Sequence, residues 1–188
     1  LIIDESKSKY IISDDDCDFT NIKKIYTHEI SKYNGIDVEL NYEKDNEVYN
    51  IYTSGTTGIP KCVSINNNNL NNYLMWCLNE YKVENKLVMP LFTSLSVDLT
   101  ITSTFLPLVC GGTIKTFSEK FNPNILKKIV EDKEINIIKC TPTHLSFILT
   151  ANYKITPKEI FIIGGENLSS ELCNKIGKLF IAAKLYNE

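Results

Sequence analysis

Tyr52-Thr53-Ser54-Gly55-Thr56-Thr57-Gly58-Ile59-Pro60-Lys61 is the stretch on which the reading of this chain turns. It leaves an apolar run, Val48 to Thr53, that predicts a strand. Two glycines permit tight turns and close backbone approach. Four hydroxyls can donate to phosphate oxygens, and Lys61 adds a positive charge on a long stem. Such a loop suits a polyphosphate. It is not a Walker A loop, because no Gly precedes Lys61 and Cys62 follows it. As bare chemistry a Gly/Ser/Thr turn is ordinary, and a plain surface turn stands beside the phosphate reading.

Downstream the pattern becomes regular. The Asn66 to Asn69 cluster supplies N-caps for a helix with Leu70, Leu74, Cys77, Leu78 and Tyr81 at helical spacing. Leu87 to Pro90 predicts a strand, Leu99 to Val109 a buried helix closed by Gly111-Gly112, and Thr113 to Phe117 a strand. Pro123 opens a helix with Ile125, Leu126, Ile129 and Val130 on one face. Strands over 135–140, 159–163 and 181–186 alternate with helices over 142–149 and from Leu168 to Leu179. This rhythm predicts an α/β fold, a layered and mostly parallel sheet with flanking helices. Ligands then belong at the carboxyl ends of the strands. Before the loop, Tyr10-Ile11-Ile12 predicts a short strand, Asp14-Asp15-Asp16 a solvated turn, and residues 32–47 a polar loop.

With 188 residues the chain is one domain's worth or a piece of a larger one. Hydrophobic residues at 43% argue against disorder. A formal charge of -3 leaves no basic excess to neutralise phosphates, so no nucleic-acid partner is expected. Between Lys86 and Lys115 the only charge is Asp98, yet Pro90, Pro107 and that central carboxylate argue against a membrane span. Six cysteines, none closely paired, predict free buried thiols and a reducing, cytoplasmic compartment. His28 and His144 are too isolated for a metal site, and no metal ligand is assigned. His144 is expected to pack or cap, and Tyr73 and Trp76 to pack. Leu1 is not Met and Leu185 to Glu188 carry no terminal signal, so both ends are expected to be cut.

The ten-residue loop resembles the signature loop of the adenylate-forming enzymes: acyl-CoA synthetases, luciferases and the adenylation domains of nonribosomal peptide synthetases. Cys62 stands where that family usually has Gly. Further segments are similar in the same order: Ser96-Val97-Asp98-Leu99-Thr100, Phe105-Leu106-Pro107-Leu108, Gly111-Gly112, Thr141-Pro142-Thr143, and Ile163-Gly164-Gly165-Glu166-Asn167-Leu168. Asn187-Glu188 falls where an Asn-x-Tyr-Gly-Pro-Thr-Glu motif would begin. The resemblance is clear over 48–188 and implies that 1–188 is a single incomplete adenylation domain, a partial N-terminal core.

Asp98 discriminates among substrates. By itself it reads equally as a helix N-cap or as a carboxylate that meets an ammonium. A fatty-acid pocket would be penalised by that charge, whereas an amino-acid pocket uses it. In amino-acid-activating members an aspartate at this position binds the α-amino group, so the resemblance favours a peptide-synthetase adenylation domain. It also implies a substrate pocket lined by Asp98, Leu99, Thr102, Lys139, Ile162, Gly164 and Glu188. Lys139 reads either as a snorkelling surface lysine or as a donor to a polar substrate side chain. A donor at Lys139 with an acceptor at Glu188 suits a carboxamide, so L-asparagine is expected first and L-aspartate second.

The resemblance further implies ATP and Mg2+. Thr53, Ser54, Gly55, Thr56, Thr57, Gly58 and Lys61 would surround the phosphates, Gly165 and Glu166 would line the adenine side, and Asn187 would bond adenine. Metal ligands, the ribose-binding aspartate and a catalytic lysine would lie past Glu188, so no catalytic residue is assigned and this stretch alone is expected to be inactive. The implied partners are the amino acid, a phosphopantetheine-bearing carrier domain and a condensation domain. The alternatives are an acyl-CoA or aryl-acid ligase of the same fold and a catalytically inactive structural fragment.

Overall fold

The computed structural model describes residues 2–33, 35, 43–54, 60–82, 86–117, 122–151 and 153–188. A short helix α1 (Ile2–Ser6) leads into strands β1 (Tyr10–Ser13) and β2 (Lys23–Tyr26), which pair in parallel, and a 3-10 turn over Thr27–Lys32. Strands β3 (Glu47–Thr53) and β4 (Lys61–Asn66) form an antiparallel hairpin. Then come α2 (Asn67–Tyr81), β5 (Val88–Leu91), α3 (Leu99–Val109), β6 (Thr113–Thr116), α4 (Pro123–Glu131) and β7 (Ile137–Cys140). The chain continues through α5 (Pro142–Thr150), β8 (Ile160–Ile163), α6 (Ser170–Leu179) and β9 (Lys184–Asn187). The expected α/β architecture with mostly parallel pairing is present: β5 pairs with β6, and β8 pairs with both β7 and β9, all in parallel.

Local chemistry explains the element starts. Asn66 accepts from the Asn69 amide while the Asn69 side chain accepts from the Asn66 amide, a reciprocal cap that opens α2. Asn122 caps α4, with Pro123 in the first turn where a missing N–H costs nothing. Thr141 and His144 form the same kind of reciprocal cap for α5, so His144 caps as the sequence suggested. Past the end of α3, Gly111 takes φ +68°, a left-handed turn that glycine adopts without strain.

Packing sorts the strand residues by parity. Ile138, Cys140, Phe161 and Ile163 face α4, α5 and α6, where Ile125, Leu126, Ile129, Leu145 and Ile176 complete one core. Ile137, Ile160 and Ile162 face the other way, into a second core with Leu70, Leu74, Cys77, Tyr81 and Leu106 from α2 and α3. Each such aliphatic side chain, fully buried, contributes roughly 1.5–3 kcal/mol. The two cores make helix layers on both faces of the β7-β8-β9 sheet. Asn136 ties this sheet to β5: its amide donates to Val88 O at 3.2 Å, and its side-chain oxygen accepts from Val88 N at 2.9 Å.

Three expectations need correction. The glycine-rich segment is followed by a strand that was not expected, β4. Its six residues are mostly exposed and are held by pairing with β3, so they carry little hydrophobic signal. The thiols are free, but only Cys77 and Cys140 are buried; Cys62 and Cys110 are exposed, one on the hairpin and one just past α3. Trp76, expected to pack, is 47% exposed and touches the edge of Tyr81. Tyr73 packs against the second core as expected, and it also places its hydroxyl in a polar network. The 86–115 run is a strand, a helix and a strand, and no helix among the described residues is long and apolar enough to cross a membrane. Half of the expected 32–47 loop, residues 34 and 36–42, lies outside the described residues.

Candidate functional site

A cleft of about 440 Å³ opens between the hairpin, the starts of α2 and α3, and the carboxyl ends of β7 and β8. Its apolar wall comes from Tyr49, Ile51, Val63 and Ile65 of the hairpin. Leu70 and Tyr73 of α2 and Asp98, Leu99 and Ile101 at the head of α3 face them. Lys139, Gly164, Gly165 and Glu188 close the floor. The parity that sends Ile137 toward α2 and α3 sends Lys139 the same way, and the register sets it beside Ile162, with Tyr186 next along.

Lys139 is 6% exposed, so it does not snorkel to the surface. Its ammonium donates to Glu188 Oε2 at 2.5 Å and to Thr102 Oγ1 at 2.6 Å, with a longer bond to Tyr73 Oη at 3.3 Å. The Glu188 side chain is 20% exposed. It accepts a short bond from the Tyr81 hydroxyl, and long ones of 3.3 and 3.4 Å from Tyr73. Tyr73 and Thr102 share a 2.5 Å bond. Burial pushes both phenols well above the usual tyrosine range, and the Glu188 charge adds to this, so both stay protonated. A charged pair sunk this deep is costly unless its remaining valences are filled. Here two tyrosines and a threonine fill them.

Asp98 sits at the head of α3 with helical dihedrals, φ -61° and ψ -29°, and its side chain makes no cap bond. The cap reading of this residue is therefore set aside. Its carboxylate borders the cleft, and its charge adds to burial in raising the Tyr49 phenol. The loop before α3 is held by other groups: Thr100 Oγ1 donates to Ser94 O at 2.6 Å and lies 2.8 Å from Thr93 Oγ1.

The structure gathers Asp98, Leu99, Lys139, Gly164, Gly165, Glu188 and Thr53 around the cleft. Thr102 is fully buried and reaches the cleft through Lys139. Ile162 is fully buried in the second core behind the floor. Gly164 is close-packed: a Cβ there would lie 3.0 Å from Glu188 O. Gly165 takes φ +81°. Glu166 does not line the cleft. Its carboxylate accepts from Thr143 N at 3.0 Å and Thr143 Oγ1 at 2.6 Å, which lower its pKa from the usual carboxylate value. Asn187 is exposed on β9, opposite Ile163. Ser54 and Lys61 are exposed at the two ends of the hairpin loop; Gly55, Thr56, Thr57 and Gly58 lie outside the described residues.

Sequence reasoning missed Tyr73 and Tyr81. The available signal was their spacing of eight on the face of α2 that also carries Leu70, Leu74 and Cys77, since a phenol on a buried face needs a partner for its hydroxyl.

The profile of the "AMP-binding enzyme" family matches residues 2–187. A mycosubtilin synthase from Bacillus subtilis is 41% identical over 135 residues, covering 70% of this chain and 5% of that protein. Tyrocidine synthase 3 of Brevibacillus parabrevis is 38% identical over 154 residues, covering 81% of this chain and 2% of that protein. The chain thus spans only a small part of these relatives. Among solved structures, the N-terminal subdomain of Klebsiella oxytoca NpsA, in complex with 3-hydroxyanthranilyl-AMSN, superposes with a TM-score of 0.85 at 14% identity. That match covers 99% of this chain and 49% of the other, and it shows a shared fold.

Proposed function

We propose, on the footing that this chain belongs to the AMP-binding enzyme family, that the protein containing it activates an amino acid as its adenylate and passes it to a carrier-protein thiol. The observation that carries the reading is a cleft with an acid on one wall and a buried Lys139–Glu188 pair on its floor. The Asp98 carboxylate meets the α-ammonium. A charge-assisted bond of about 2.7–2.9 Å there fixes the amino acid's orientation. The apolar hairpin wall covers the α-carbon and excludes water, which strengthens that bond.

The side chain points at the floor. A carboxamide offers one acceptor to Lys139 and one donor to Glu188, so L-asparagine matches both. L-Aspartate brings a second carboxylate toward Glu188; like charges about 4 Å apart repel by about 4 kcal/mol at an effective dielectric near 20, offset in part by Lys139. Asparagine therefore ranks first and aspartate second. Leucine or phenylalanine would press hydrocarbon onto the ion pair and offer no polar group in place of the water it displaces.

ATP supplies the adenylyl group, with pyrophosphate leaving as the substrate carboxylate attacks the α-phosphorus. This step depends on positioning and charge rather than on a general base. Thr53 borders the cleft, and Ser54 and Lys61 flank the turn expected to hold the phosphates, together with Gly55, Thr56, Thr57 and Gly58. The left-handed Gly165, with no Cβ, leaves a flat approach for the adenine side, near Glu166 and Asn187. Mg2+ accompanies the nucleotide in this reading, and no residue of this stretch is assigned to it. Phosphopantetheine on a carrier domain, and a condensation domain beyond it, are the partners this reaction implies.

The test is amino-acid-dependent ATP–pyrophosphate exchange by the full-length protein across the twenty amino acids and representative fatty and aryl acids. L-Asparagine should exchange fastest and L-aspartate second. Preference for leucine, phenylalanine, or a fatty or aryl acid would overturn the reading.

A further inference from the structure

The polar network on the cleft floor is closed in a particular way. The Lys139 ammonium has three N–H bonds, and three acceptors stand around it: Glu188 Oε2 at 2.5 Å, Thr102 Oγ1 at 2.6 Å and Tyr73 Oη at 3.3 Å. Glu188 is held at both oxygens, by Lys139 on one and by the Tyr81 hydroxyl on the other. Tyr73 alone touches both charged groups, and only through long bonds of 3.3–3.4 Å. Its hydroxyl thus bridges the ammonium and the carboxylate, receiving from one and donating to the other. A side-chain amide would make the same bridge with its oxygen and its NH2. Tyr73 also lines the cleft, together with Lys139 and Glu188, so its hydroxyl stands among the groups that face an incoming side chain. Tyr81, by contrast, is 1% exposed, packed against Trp76 and Tyr186, and cannot be displaced from Glu188 without opening the core.

We propose that the two phenols of α2 set the preference for an amide over an acid: Tyr81 is a positioning residue that fixes Glu188 as an acceptor, and the Tyr73 hydroxyl keeps the place that the substrate amide takes. This deepens the asparagine reading and rests on it. Desolvation keeps both phenols protonated, so each retains the proton that it donates to Glu188. Without the Tyr81 donor, Glu188 is free to turn toward Lys139 and bind it alone, and the acceptor facing the cleft is lost. Without the Tyr73 hydroxyl, the ammonium and carboxylate each keep a free valence that only the ligand can fill.

The two variants therefore move in opposite directions. In ATP–pyrophosphate exchange by the full-length protein, Tyr81→Phe should raise KM for L-asparagine about tenfold, the effect of one bond to a charged group, with kcat changed less than about twofold. Its kcat/KM ratio of asparagine to aspartate should fall by about the same factor, tenfold. Tyr73→Phe should lower KM for asparagine about threefold, because nothing has to be displaced. A merely structural role for the phenols would shift both amino acids equally and in the same direction in both variants, and that result overturns the proposal. If Tyr81→Phe does not fold, Tyr73→Phe decides alone: a raised KM for asparagine refutes the place-keeping role. A wild-type protein that prefers neither asparagine nor aspartate overturns this inference together with the substrate reading. A wild-type preference for asparagine that survives unchanged in both variants overturns this inference only.

Discussion

Lys139→Met strips one ammonium from the cleft floor and leaves a side chain of similar length. Three bonds go, to Glu188, Thr102 and Tyr73. The larger cost lies in what remains, a carboxylate 20% exposed with no counter-ion. Removing one member of a buried pair typically costs about 3–5 kcal/mol. Glu188 retains its bonds from Tyr81 and Tyr73 and some contact with water, which brings the expected loss to about 2–3 kcal/mol. For a chain of this size about 2–4 °C of melting temperature goes with each kcal/mol, so the midpoint should fall by roughly 4–12 °C. The double variant Lys139→Met/Glu188→Gln removes both charges and should recover at least about half of that loss. Paired chemical and thermal denaturation of the wild type, both single variants and the double variant gives the coupling directly. A loss below about 0.5 kcal/mol for Lys139→Met, or a double variant no better than the single, would refute the claim that the pair is buried and mutually dependent.

Three further outcomes follow from other parts of the molecule. Burial holds His144 below its usual 6.5, and its Nδ1 accepts from Thr141 N at 3.1 Å, so the folded protein resists the proton. The unfolded chain takes it up, and stability should therefore fall as pH drops from 6.5 through the folded value. His144→Asn should flatten that slope in denaturation midpoints measured from pH 7.5 downward, and an unchanged slope would contradict it. Lys158 is 3% exposed and donates to Asp132 O, Ile135 O and Thr156 Oγ1, tying the turn after α4 to the segment before β8. Lys158→Met leaves those acceptors short of a donor and should cost about 2–3 kcal/mol by denaturant titration, whereas a neutral result would show that water replaces the amine. Asp98→Ala should raise KM for the amino acid in pyrophosphate exchange by about 10- to 100-fold, with little change in melting temperature, since its side chain caps nothing; a large drop in melting temperature would restore a structural role.

Much of the fold was legible because burial wrote it into the order of residues. The apolar runs of β7 and β8 and the i, i+1, i+4, i+5 face of α4 announce themselves. Strand β4 did not, because pairing with β3 holds it in place with little help from a core. The candidate site was legible in its parts and hidden in its assembly. Asp98, Lys139 and Glu188 stand out as charges in apolar or motif-like settings. That Lys139 and Glu188 meet each other, 49 residues apart, depends on the parallel register across β7, β8 and β9, which no local pattern encodes. Tyr81 and Glu188 are separated by 107 residues, and their contact follows from how α2 lies on that sheet. Asp98 read equally as a cap or as a ligand group, and only its dihedrals and the missing cap bond, which no sequence shows, argue against the first.

A crystal structure of the full-length protein with L-asparagine and a non-hydrolysable adenylate mimic tests the central claim most directly. The account predicts the α-ammonium about 3 Å from an Asp98 carboxylate oxygen, and the side-chain amide between Lys139 and Glu188 in the place of the Tyr73 hydroxyl. An ammonium directed into solvent, or a side chain lodged away from the Lys139–Glu188 pair, would contradict it.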